Sequence, residues 1–188
     1  MPAVLFNFLR FLGVDMTDQQ AVSRRVGERL GERNETLATA ESVTGGMLSA
    51  AIVDVPGASD YFDRGYVTYA YEAKSGTLGV DRALLDQHGA VSEPVAAAMA
   101  QAARDLAGCT WGVSVTGTAG PSGGTEEKPV GTTFIGVAHA GPWGSQTSTS
   151  TVNRYRFEGN RMAIRRAAVS QALTDLDEHV AAHPTNSS

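Results

Sequence analysis

Apolar residues at four-residue intervals mark the first legible element. Val22, Val26 and Leu30 form one stripe of an α-helix. Thr17 followed by Gln20 gives that helix a capping-box start, and its end falls near Gly31. The pattern then shortens. Thr36 to Ala40 suits a strand, Gly45 and Gly46 interrupt it, and Met47 to Val53 reads as a helix ended by Pro56-Gly57. Gly65 to Tyr71 is rich in β-branched and aromatic residues and predicts a strand. Glu72 to Leu78 follows as a short helix closed by Gly79. Ser92, with Glu93 and Pro94 behind it, predicts the N-cap of an Ala-rich helix that runs to Leu106 and stops at Gly108. Thr110 to Thr116 and Thr132 to Ala138 predict strands on either side of a long Gly/Pro loop, Gly117 to Gly131. Gly141-Pro142 turns the chain into a further strand, Ser148 to Phe157. A last helix from about Glu158 presents Met162, Val169, Leu173, Leu176 and Val180 to the core.

Strands alternating with helices place the chain in the α/β class, as a single three-layer domain with its sheet flanked by helices. Neighbouring strands near the C-terminus, with no helix between them, make that sheet mixed. The 188 residues fit one domain, assigned to 17–180 between an N-terminal extension (1–16) and a polar tail (181–188). Within the extension, the apolar run from Val4 to Val14 is broken by Asn7 and Arg10. No window there approaches the roughly 20 apolar residues that a membrane helix needs. The segment also lacks the basic start and small-residue cleavage site of a secretory signal, and it reads as a docking segment or a loose extension.

Charge and cysteine content narrow the function classes. A net charge of -5 argues against a broad nucleic-acid-binding face but leaves room for a local basic pocket. Cys109 is alone, so neither an intrachain disulfide nor a cysteine zinc site can form; a reducing, cytoplasmic compartment is expected. His88, His139, His179 and His183 are scattered without metal-ligand spacing, and neither a metal nor an organic cofactor is expected.

Four segments are able to carry chemistry, each with a plain structural alternative. Ala40-Glu41-Ser42-Val43-Thr44-Gly45-Gly46 lies where a strand hands over to a helix. Ser42 on a sharp turn there suits a nucleophile, and the amides of Thr44, Gly45 and Gly46 suit an oxyanion hole; the alternative is an ordinary helix start capped by Ser42 or Thr44. Tyr66-Val67-Thr68-Tyr69-Ala70-Tyr71-Glu72-Ala73-Lys74 supplies a lysine that burial can turn into a base for a serine, with a tyrosine hydroxyl to relay the proton or hold the lysine; the alternative is a surface lysine on a short helix and strand aromatics in the core. Thr116-Gly117-Thr118-Ala119-Gly120 opens a loop suited to an anion, yet it matches neither a Walker A loop nor a dinucleotide fingerprint; a flexible loop is the alternative. Strand alternation puts Arg154 and Arg156 on one face and Tyr155 and Phe157 on the other. An arginine beside the Gly/Thr loop would clamp phosphate; otherwise this is a solvated basic edge, with Arg161 facing solvent.

In order and spacing, the segments AESVTGG (40–46), DVPG (54–57), YAYEAKSGTLGV (69–80), HGAVSE (88–93), VTGTAGPSGG (115–124), EKPVG (127–131) and Arg156 to Arg166 resemble the CinA C-terminal domain family. Its characterised members are nicotinamide-nucleotide amidohydrolases. The resemblance implies hydrolysis of the carboxamide of nicotinamide mononucleotide without a metal, in pyridine nucleotide recycling toward NAD, by a homodimer or higher homo-oligomer. It assigns Ser42 as nucleophile, Lys74 as base and Tyr69 as their catalytic tyrosine, and it places Thr116 to Gly120 and Arg156 on the substrate. Two departures stand out. Val43 replaces a common Cys, and Ala70-Tyr71 replaces a common Ser-Asn, which would change the hydrogen bonding around Lys74. A nucleotide-binding module that has lost catalysis, or an amidohydrolase for another phosphorylated amide, are the alternatives.

Overall fold

The computed structural model describes residues 16–141 and 147–183. The reading of Met1 to Val14 as a docking segment lies outside them, as does most of the polar tail. Helix α1 (Met16–Arg33) leads into strand β1 (Leu37–Glu41), helix α2 (Met47–Val53), a 3₁₀ turn (Ala58–Asp60) and strand β2 (Phe62–Val67). Helices α3 (Tyr71–Leu78), α4 (Arg82–His88) and α5 (Glu93–Ala107) follow. Strands β3 (Trp111–Gly117), β4 (Thr132–His139) and β5 (Thr149–Arg156) then come in succession, and helix α6 (Arg161–Ala182) closes the domain.

The sheet order is β2-β1-β3-β4-β5. Strands β1, β2 and β3 are parallel, while β4 is antiparallel to both of its neighbours, so the sheet is mixed as expected. Two successive reversals make β5 run with β3. The carboxyl ends of β1, β2, β3 and β5 therefore share one edge, the place where open α/β sheets take ligands.

Alternation along the strands sorts residues into two cores. Leu37, Trp111, Val113, Val115, Ile135 and Val137 face α1, α2 and α6, meeting Val26, Leu30, Leu48, Ile52, Val169, Leu173 and Leu176. The other face carries Ala38, Ala40, Gly112, Ser114 and Gly136, and these small residues let α5 lie close. Ser114 Oγ donates to the Ala96 carbonyl at 2.6 Å, and a Cβ built on Gly112 would stand 2.1 Å from the Ala100 carbonyl oxygen. An Ala-rich helix is what such a face accepts. Val95, Met99 and Ala103 fill the remaining gaps with Leu78 and Leu85.

The structure corrects several element expectations. Strand β2 begins at Phe62 and ends at Val67, because Thr68 to Ala70 turn into α3 rather than continuing the sheet. Helix α4 is an unanticipated element, seven residues capped by the Asp81 carboxylate accepting from the Ala83 amide at 2.9 Å. Ser92 does begin α5, but its hydroxyl donates to the Gly89 carbonyl instead of capping the helix. Helix α6 starts at Arg161 under an Asn160 cap, which turns Met162 outward at 44% exposure; Ile164, Ala168 and Ala172 complete the core stripe in its place.

Close packing of α5 on β3 generates a test. Gly112→Ala should lower stability by about 1–3 kcal/mol through overpacking, read as a lower urea midpoint with an unchanged slope.

Candidate active site

Ser42 follows the last residue of β1, and both neighbouring strands hold it there. Its amide donates to the Val115 carbonyl at 2.9 Å, while the Thr68 amide donates to the Glu41 carbonyl at 2.8 Å. The chain then reverses through Gly45 (φ 60) and Gly46 (φ 94), left-handed values that glycine adopts at little cost. Glu41 fixes the far side of this turn. Its fully buried carboxylate accepts from the amides of Gly46 (2.9 Å), Leu48 (3.0 Å) and Ser49 (2.8 Å) and from the Ser49 hydroxyl (2.6 Å). A carboxylate is well placed at a helix N-terminus, where free amides and the helix dipole both favour it. The chain thus caps α2 with its own anion, and the Gly46 amide is already committed to Glu41. The Thr44 and Gly45 amides are outside the carboxylate's set of donors.

Lys74 lies in the first turn of α3 and is fully buried. Its Nζ donates to the carbonyls of Thr68 (2.7 Å) and Tyr69 (3.1 Å) and reaches Ser42 Oγ at 3.0 Å. Burial lowers its pKa to about 8. A neutral amine has two N–H groups and one lone pair. Once the amine is neutral, the two carbonyls can take up both N–H groups and leave the lone pair to accept from the Ser42 hydroxyl.

Helix α6 contributes two arginines one turn apart. Arg161 Nη1 donates to the Gly120 carbonyl at 2.9 Å and Nη2 to the Tyr69 hydroxyl at 3.2 Å. It is therefore engaged, not merely solvated, and it joins the Gly/Thr loop to the lysine-holding turn. Arg165 donates to the Val43 carbonyl from Nε (3.0 Å) and to the Thr44 carbonyl from Nη2 (2.6 Å). Sequence reasoning assigned Arg165 no role. The available signal was its i, i+4 spacing from Arg161 on a helix that begins at the ligand edge.

The other expected residues sort as follows. Tyr69 is 63% exposed; it reaches Lys74 through its carbonyl and Arg161 through its ring hydroxyl. Arg156 is exposed at the end of β5, in register with Thr132, whose carbonyl accepts from the Thr118 amide; this sets it beside the loop. Arg154 bonds the Glu127 carbonyl and lies 5.7 Å over the Phe134 ring. Within the loop, the Thr116 hydroxyl donates to the Ala90 carbonyl at 2.7 Å, Ala119 is buried in the core, and Gly120 takes a left-handed φ of 72. Among the described residues no group of three or more His, Cys, Asp or Glu side chains is arranged to hold a metal, and no helix is long and apolar enough to cross a membrane.

The model of the CinA C-terminal domain matches residues 19–180. This chain belongs to that family. It is 45% identical to the nicotinamide-nucleotide amidohydrolase PncC of Escherichia coli K12, over 86% of this chain and 95% of that protein. It is 52% identical to a CinA-like protein of Anaeromyxobacter dehalogenans strain 2CP-1 over 79% of this chain, yet it spans only 35% of that longer relative. Among solved structures, the competence damage-inducible protein A (ComA) of Klebsiella pneumoniae MGH 78578 superposes with a TM-score of 0.82 at 32% identity, covering 88% of this chain and 99% of that one. The competence/damage inducible protein CihA of Agrobacterium tumefaciens gives 0.81 at 34%, covering 87% and 96%.

The departures from the CinA pattern are readable in this geometry. Val43 is buried in the core. Ala70 opens α3 through its backbone, accepting from the Lys74 amide at 3.2 Å, and the Tyr71 hydroxyl accepts from the Ala90 amide at 3.1 Å. Tyr71 thus ties α3 to the segment before α5. Lys74 itself depends on two main-chain carbonyls and Ser42, so the replacement of Ser-Asn removes none of these three contacts.

Glu41 supplies the prediction here. Glu41→Gln places an amide NH₂ among four donors that need an acceptor, and should destabilise the fold by about 2 kcal/mol, seen as a lower thermal midpoint.

Proposed function

We propose that this chain hydrolyses the carboxamide of nicotinamide mononucleotide to nicotinate mononucleotide and ammonia, with Ser42 as nucleophile and Lys74 as its base. The single observation that carries this reading is a buried lysine 3.0 Å from a serine hydroxyl, with main-chain carbonyls on its remaining N–H groups. The name of the Escherichia coli relative, matched over nearly its whole length, supports the substrate. The reaction would return pyridine nucleotides toward NAD in the cytoplasm.

Neutral Lys74 takes the Ser42 proton as Oγ attacks the carboxamide carbon. The amides of Thr44 and Gly45 hold the oxyanion of the tetrahedral intermediate; Gly46, first assigned with them, serves Glu41. Lys74 returns the proton to the nitrogen as the C–N bond breaks, and ammonia leaves. A water then attacks the acyl ester, Lys74 again accepting a proton, and Ser42 is restored as the acid departs. Arg156 and the Thr116–Gly120 loop hold the phosphate, which fixes the carboxamide over Ser42. Tyr69 orients Lys74 through its carbonyl and lines the mouth of the site with its ring.

Ammonia release from nicotinamide mononucleotide, with chelator present, tests this. Wild type should release ammonia, and Ser42→Ala should lose at least about three orders of magnitude in kcat while remaining folded. Protonated Lys74 cannot accept a proton, so kcat/KM should rise with pH through about 8 and level off above it. Ammonia release at the wild-type rate by Ser42→Ala would exclude the serine mechanism.

A further inference from the structure

Arg165 grips the two consecutive carbonyls that follow the nucleophile. In a trans peptide the N–H points opposite to the C=O of the same plane. The Val43 carbonyl shares its plane with the Thr44 amide, and the Thr44 carbonyl shares its plane with the Gly45 amide. With both carbonyls drawn to one guanidinium, at 3.0 and 2.6 Å, both amides turn to the side away from α6. Gly45 permits this approach, since even a Cβ at that position would stand 3.3 Å from Arg165 Nη2 in a left-handed backbone. Glu41 completes the arrangement by taking the next amide, that of Gly46. Consecutive amides aimed the same way form an anion-binding concavity. A cation on the carbonyls also polarises the same peptide units, making their N–H groups better donors.

We infer that Arg165 is a positioning residue for the oxyanion hole, setting the Thr44 and Gly45 amides without touching the substrate. This rests on the serine mechanism proposed above but not on the identity of the substrate. Its test therefore includes a probe that needs no nucleotide recognition. An alkyl fluorophosphonate reacts when Ser42 Oγ bonds phosphorus, fluoride departs with the P–F electron pair and Lys74 takes the proton, and the same amides stabilise the phosphoryl oxygen.

Arg165→Met should label about 10²-fold more slowly than wild type. Its kcat for ammonia release should fall by a similar factor, with KM for nicotinamide mononucleotide little changed. Arg165→Lys, able to hold one carbonyl at a time, should recover part of both rates. Guanidinium chloride at tens of millimolar should restore labelling in Arg165→Ala, which a misfolded variant could not show. Wild-type labelling and kcat in Arg165→Met would overturn the inference. So would a raised KM at unchanged kcat, because that assigns Arg165 to substrate binding. Slowed labelling in a protein whose wild type releases no ammonia would support the positioning role and place the error in the substrate. A wild type that neither labels at Ser42 nor releases ammonia would overturn both readings.

Discussion

A lysine buried to zero exposure sets the terms for the rest of this site. Burial disfavours the ammonium form, and no carboxylate stands among the hydrogen-bond partners of Lys74 Nζ to offset that cost. The fold instead offers two carbonyls and a serine hydroxyl, all uncharged. Those carbonyls exist only because β2 stops at Val67 and the chain turns through Thr68 to Ala70 before α3 begins. The premature end of the strand is what sets these carbonyls around Lys74.

The second constraint is the turn after β1. One carboxylate and one guanidinium hold it from opposite polarities, with Glu41 collecting amides and Arg165 collecting carbonyls. The turn is thus tied down on both sides, and on the proposed mechanism such preorganised donors would stabilise developing charge without reorganising during the reaction. Helix α6 contributes to both stability and chemistry. Its apolar stripe builds the larger core, while its first turns send Arg161 and Arg165 across the ligand edge.

Much of this was legible in the residues. The alternating pattern on β3, the Ala-rich run of α5 and the apolar stripe of α6 each gave the right element, since each follows from local periodicity. Type and placement make Ser42, Lys74 and the Gly/Thr loop candidates, and the resemblance to the CinA C-terminal domain family is what selects them together with Arg156. What escaped depends on long-range geometry. Glu41 lies in the strand-to-helix junction with no role legible from the sequence, until α2 folds its N-terminus over it. Tyr69 looked like a strand aromatic, because nothing local announces that β2 ends two residues earlier. The sequence offers Arg161 as a solvated first-turn residue and gives Arg165 no role; only the packing of α6 reveals that Arg161 holds Gly120 and Tyr69 and that Arg165 holds Val43 and Thr44. Met162, which the sequence pattern assigns to the core stripe, lies in the first turn of α6 and is exposed.

The central claim is that Lys74 is the base, its neutral form becoming available as pH rises through about 8. Selective observation of its side-chain nitrogen by ¹⁵N NMR across a pH titration addresses this directly, whatever the substrate. The account predicts a midpoint at about 8 for Lys74. A Lys74 midpoint near 10.4, the ordinary lysine value, would mean that the amine stays charged beside Ser42, and the mechanism would fail.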